Sequence, residues 1–296
     1  MRNLSEAHRG HLAMLLFSAL VAGSFSLGAM AAPFVDPVAL TIARFFIAGI
    51  VIAIAVFLTT GVPKGSFSAP WRYLILGGLY VIYFVLMFEG LKTAPAVSAA
   101  AVFTLTPVMA GGFGYLLLRQ ITTARMALAL AIGATGALWV IFRADVAALL
   151  AFQIGKGELI YFWGCVAHAL YIPMVRVLNR GEPAIVFSLG AISGGFVILL
   201  LIGWRSLIET DWSALPMIVW IALIYVAVAA SAMTFVLIQY ASLRLPAAKV
   251  MAYTYLTPSW VILWEIALGH GVPPVFTLAG IALTVVALLM LLKGDA

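Results

Sequence analysis

The side chains that could do chemistry in this chain are few, and each stands in apolar surroundings. Arg44 comes first. In the run PVALTIAR it lies seven residues past Pro37, about 10 Å along a helix at 1.5 Å per residue. A guanidinium at that depth either faces an internal cavity as a carboxylate-binding or gating charge, or snorkels outward or meets helix-end carbonyls. Glu89 and Glu265 are the acids placed to neutralise it when a mouth closes, unless they are ordinary interfacial residues. His168 lies deep in an apolar run, where an imidazole can serve proton coupling or sit neutral and hydrogen-bonded inside a bundle.

Hydroxyls and rings complete the set. Ser24 and Ser26 put two hydroxyls near the middle of the first apolar run, although serines also bond back to their own helix. Tyr80, Tyr83, Phe84 and Met87 share one helical face, and the matching face later in the chain is Ser231, Thr234, Phe235 and Ile238. Tyr253, Thr257, Trp260 and Trp264 form a third face, matched by Val102, Thr106, Met109 and Phe113. Such faces suit an aromatic or amphipathic solute, or else belong to packing and the interfacial belt. Pro107 and Pro258 each remove a backbone donor, which makes them hinge candidates or plain kinks. Paired acids, clustered metal ligands, a nucleophile with its base and the GxxxxGK[ST] phosphate loop are all missing from the sequence. No cofactor, no metal and no enzymatic activity are therefore expected.

The elements that hold these residues follow from composition. With 65% hydrophobic and 9% charged residues over 296 positions, most of the chain must be covered by lipid. The apolar runs are continuous rather than alternating, so they read as helices and not as barrel strands. Ten spans are expected, over about residues 12–32, 37–60, 71–92, 94–118, 122–143, 157–178, 183–203, 214–240, 246–268 and 273–293. The first follows Arg2 and Arg9 as a signal sequence would, yet its length suits a membrane helix. The lone Cys165 reads as a packed core residue. The net charge of +6 is carried by residues standing singly at the ends of apolar runs, which argues for topology and against nucleic acid. Of the sixteen Lys and Arg, eleven fall on the side of both termini, four on the other and Arg44 within a helix. That bias predicts cytoplasmic termini, and Lys249 reads as a snorkelling anchor on that side.

An internal repeat is also visible. Leu105-Thr106-Pro107 recurs as Leu256-Thr257-Pro258, and at the same offset Pro95 matches Pro246 and Phe84 matches Phe235. At a slightly smaller offset Pro37 matches Pro183 and Gly49 matches Gly195. Two five-span halves, 1–146 and 147–296, are predicted. Because five is odd, the second enters the membrane from the opposite side, and inverted halves have two near-equivalent packings, the basis of alternating access.

Three segments carry a family resemblance that covers nearly the whole chain: PVALTIAR from Pro37 to Arg44, TAPAVSAAAVFTLTPV from Thr93 to Val108, and RLPAAKVMAYTYLTPS from Arg244 to Ser259. Together they resemble the drug/metabolite transporter superfamily, in particular its ten-helix EamA-type members. Length and aromatic richness make the chain similar to the aromatic amino acid exporters of that group. The resemblance implies a basket of ten helices around a central cavity, lined by the fourth and ninth helices, and export of amino acids. It departs at Ala22-Gly23-Ser24, where many members place a tryptophan and glycine, which leaves the substrate class open.

The expectation is thus an all-α integral membrane protein of a bacterial inner membrane, a secondary transporter working as a monomer or weak homo-oligomer. Its partners would be a small-molecule substrate and membrane lipid. An intramembrane lipid-modifying enzyme and a channel-like facilitator are the alternatives.

Overall fold

The computed structural model describes residues 6–121, 123–142, 145, 147, 154–272 and 274–292. The predicted repeat boundary at residue 146 and the basic residues Arg2, Arg143 and Lys293 lie outside the described residues. Among those described there is no strand. The helices are α1 (Glu6–Ala31), α2 (Pro37–Leu58), α3 (Trp71–Leu91), α4 (Ala96–Phe103), α5 (Thr106–Leu118), α6 (Ala124–Ile141), α7 (Lys156–Leu178), α8 (Ala184–Glu209), α9 (Met217–Ala227), α10 (Thr234–Ser242), α11 (Ala247–Ala252), α12 (Thr257–Ala267) and α13 (Val275–Leu292). A π-helical segment, Val228–Met233, joins α9 to α10, and a 3-10 turn, Tyr253–Leu256, joins α11 to α12.

Local chemistry explains where several of these begin. Asp36 caps α2, its Oδ1 accepting from Val38 N at 2.9 Å and Ala39 N at 3.0 Å, while Pro37 takes the first turn, where an N–H is not needed. Nine stretches among the described residues are long and apolar enough to cross a bilayer. The remaining expected span, the ninth at 246–268, is present as α11, the 3-10 turn and α12, which the turn keeps from being one continuous helix. α1 starts and α8 ends about two helical turns beyond the apolar runs that predicted them, because a helix continues through polar residues at the interface. Pro107 and Pro258 occupy the second residue of α5 and α12. The breaks at Thr104–Leu105 and Tyr253–Leu256 precede the prolines, which sit where a first-turn N–H would have no helical partner anyway.

Packing then fixes the bundle. α3 lies against α7 and α8, α2 against α8 and α9, α1 against α9, α10 and α12, α5 against α7 and α11, and α6 against α13. Counted as spans, the third meets the sixth and seventh, and the eighth meets the first and second. Exchanging the first five spans for the last five leaves that set of pairs unchanged. The closest crossing is α3 on α8. A Cβ at Gly77 would lie 2.1 Å from Gly195 N, and one at Gly194 would lie 2.3 Å from Tyr73 O, so only glycine lets these backbones touch. Gly136 meets Gly280 in the same way where α6 crosses α13. Gly112, by contrast, faces open space.

Candidate functional site

The centre of the bundle is polar and aromatic. Arg44 is fully buried on α2, which rules out outward snorkelling. Its Nε donates to Ser231 Oγ at 2.5 Å and its Nη2 to Ala230 O at 2.7 Å, and its guanidinium carbon sits 3.7 Å from the Phe84 ring centroid. Nη1 has no partner. Among the described residues no carboxylate pairs with Arg44. Glu89 bonds Lys92 at 2.6 Å and Glu265 meets His270 at 3.0 Å, so neither gating acid reaches the guanidinium in this conformation.

Around Arg44 the inward face of α3 meets α7 and α10. Tyr80 lies 3.9 Å from Tyr171 and 4.0 Å from Phe235, centroid to centroid, and Phe45 is edge-on to both Phe84 and Phe235. His168 stands inside this wall, 4.3 Å from Tyr83, 5.4 Å from Phe103 and 5.8 Å from Tyr80. Its Nδ1 has no partner among the described residues. Tyr161 donates to Tyr83 at 3.2 Å, and Gln239 Nε2 donates to the Tyr171 hydroxyl at 2.6 Å. The repeat-matched residues Tyr80 and Phe84 of the third span and Phe235 of the eighth thus lie ring to ring. Tyr161, Tyr171 and Gln239 join them unforeseen. The first two share a face with His168, seven residues before and three after it, and the phasing already applied to α3 would have found them.

The fourth and ninth spans contribute differently. Thr106 donates to Phe103 O at 2.6 Å and lies 3.3 Å from the Thr254 hydroxyl, so its oxygen is committed within the bundle. Trp260 donates to Ser18 at 3.2 Å, and the Tyr253 ring lies 6.0 Å from that of His11. Thr257, Ser24 and Ser26 are buried with hydroxyls lacking partners among the described residues. Lys249 is 7% exposed, which corrects its reading as a snorkelling anchor.

A second buried arginine closes the end of the bundle where α3 begins. Arg72 donates to Glu182 Oε1 at 2.6 Å, to Leu178 O at 2.7 Å and to Ser66 O and Ala69 O at 3.3 Å, tying the 63–70 loop to the 179–183 loop. Burial pulls the Glu182 carboxyl up, but hydrogen bonds from Arg72 and from the Arg180 backbone outweigh it and hold the group below the usual carboxylate range. Beside this pair lies a cavity of about 300 Å³ lined in part by Lys64, Ser68 and Arg180.

Chemically, the central arrangement offers an unshared guanidinium edge among aromatic walls. Among the described residues no group of His, Cys, Asp and Glu could hold a metal ion. A buried cation held open inside a bundle of apolar helices defines a membrane transporter of small solutes. The chain belongs to the EamA-like transporter family, matched twice, over residues 8–142 and 155–293. It is 24% identical over 282 residues to "Uncharacterized transporter YyaM" of Bacillus subtilis (strain 168), covering 94% of this chain and 92% of that protein. A solved structure described only as "Crystal structure of protein" shares the fold, with a TM-score of 0.73, 20% identity and coverage of 98% of this chain and 99% of that one.

Proposed function

We propose that this multi-pass membrane protein exports small organic solutes, amino acids and foremost aromatic ones, by alternating access across the bacterial inner membrane. Both termini face the cytoplasm in this reading, as the distribution of basic residues supports. Residues 1–146 and 147–296 act as inverted halves. Three observations support that division: the two sequence offsets, the twofold family match and the contact set that survives exchange of the halves. The protein works as a monomer or weak homo-oligomer, with lipid around it and without nucleic acid.

One observation carries the reading. Arg44 is a fully buried cation stacked on Phe84, with Nη1 unpartnered and no acid beside it among the described residues. Leaving a charge so placed costs several kcal/mol, and a solute carboxylate would restore the missing partner. Tyr80, Tyr83, Phe84 and Phe235 supply ring faces beside it for an aromatic side chain, where stacking adds about 1 kcal/mol per pair. Counterflow in proteoliposomes tests this. Labelled L-phenylalanine should accumulate transiently against unlabelled solute on the other side, saturably and with stronger competition from aromatic than from aliphatic amino acids. Flux without counterflow would identify a channel-like facilitator, and no flux of any amino acid would remove the substrate reading.

A further inference from the structure

The π segment of the eighth span has no helix-breaking residue in its own sequence. Val228–Met233 reads VAASAM, with neither proline nor glycine, and such residues form ordinary α-helix. A π turn inserts one extra residue, is rare, and is found mostly at functional sites. Here it is held both by its own Ser231 and from outside. The Ser231 hydroxyl donates to Val226 O, five residues back, at 2.7 Å, while its oxygen accepts from Arg44 Nε. Arg44 Nη2 donates to Ala230 O. Two backbone carbonyls of the distorted turn are thus served by side chains, and Arg44 of α2 makes two hydrogen bonds that cross to it. Of the five N–H donors of a guanidinium, the edge formed by Nε and Nη2 is turned to the π segment, and Nη1 is left free.

The geometry points to a solute-driven switch: Ser231 positions Arg44 so that a solute carboxylate arriving at Nη1 draws the guanidinium off Ala230 O and lets the π turn relax to an α turn. This rests on the reading that Arg44 meets the solute. Loss of the extra residue rotates α10 by about 100° and shifts it about 1.5 Å relative to α9. That rotation takes Gln239 from the Tyr171 hydroxyl, and it also opens the contacts by which Arg176 of α7 holds the far end, donating to Ser242 O and Leu245 O. Occupancy at the centre is so transmitted along one helix to the end of the bundle where α10 stops. A guanidinium shared between the π turn and the solute, rather than a hinge at the prolines, is the moving part.

The test uses the full chain with Cys165→Ala and spin labels at Leu237→Cys on α10 and Val177→Cys on α7. On a helix about 10 Å across, a rotation of about 100° should move the label at 237 by about 8 Å. Saturating L-phenylalanine should produce that shift in the otherwise native protein. Arg44→Met, which cannot donate to Ala230 O, should show the shifted distance without any ligand, and Ser231→Ala should follow it, with Ser231→Thr restoring the native distance. L-phenylalanine binding with no change in distance overturns the switch. If L-phenylalanine does not bind at all, the substrate reading fails by itself, and the ligand-free variants still decide. Native distances in both Arg44→Met and Ser231→Ala overturn the inference; should Arg44→Met not fold, a native distance in Ser231→Ala alone overturns it.

Discussion

Arg44 and Arg72 are both almost wholly buried, at 0% and 1% exposure, and their surroundings are opposite. Arg72 has four acceptors, one of them a carboxylate at 2.6 Å that is itself bonded to the Arg180 backbone at 2.7 Å. Its charge is neutralised, and it joins two loops at one end of the bundle. Arg44 has two neutral acceptors, a ring beneath it and a nitrogen left over. Burial of a charge is tolerated when partners are complete and is costly when they are not. In the proposed reading, the incomplete set around Arg44 is the place where a solute carboxylate would supply the missing partner. The two arginines therefore differ in the count and charge of their partners, not in burial.

The comparison can be broken by exchanging the two arginines' fates in variants. Arg44→Ala should have the largest effect. Removing one side of a buried charge contact costs roughly 2–5 kcal/mol, so apparent affinity for L-phenylalanine should fall about 30-fold or more in a binding assay, while membrane insertion on a blot stays at the native level. Arg72→Ala should instead destabilise by roughly 3 kcal/mol, from the unpaired Glu182 it leaves behind. Thermal unfolding in detergent reads that loss, and the surviving folded fraction should bind solute within about twofold of the native protein. Gly77→Ala forces a methyl to within 2.1 Å of Gly195 N, and overpacking of this kind costs about 1–3 kcal/mol by the same melt.

The pH dependence sharpens the same contrast. Because the folded-state carboxyl of Glu182 titrates below its unfolded value, the stability it contributes is present above the ordinary carboxylate range and is lost as pH falls through the lower, folded value. Melting temperature should therefore drop on acidification through that window, and Glu182→Gln should flatten the drop. Smallest of all, Gly112→Ala meets nothing within 4 Å and should change stability by no more than about 0.5 kcal/mol.

Much of this was written in the chain. Runs of apolar residues predicted the spans to within a turn or two, since lipid demands long continuous helices. Phasing put Tyr80, Tyr83 and Phe84 on one face and Ser231 and Phe235 on the repeat-matched face, because a helix facing the centre must repeat its inward residues every turn; that the two faces meet was not legible. Arg44 stood out by being charged where charge is costly. Its partner set did not, since Ser231 and Ala230 come from a π turn that no local residue announces. Arg72 looked like one more topology charge at a helix start. Its burial depends on Glu182, 110 residues away, and no spacing rule joins the two. In the fourth and ninth spans the prolines marked the interruption, but not that the helix ends just before each of them and restarts with the proline in its first turn.

The central claim is that Arg44 holds the carboxylate of the solute. Binding of L-phenylalanine and of phenethylamine, which is the same molecule without its carboxylate, should be measured side by side on the native protein and on Arg44→Met. The native protein should prefer L-phenylalanine by about tenfold or more, which corresponds to about 1.4 kcal/mol, and Arg44→Met should bind the two alike. A preference for the carboxylate that survives Arg44→Met undiminished would contradict the claim.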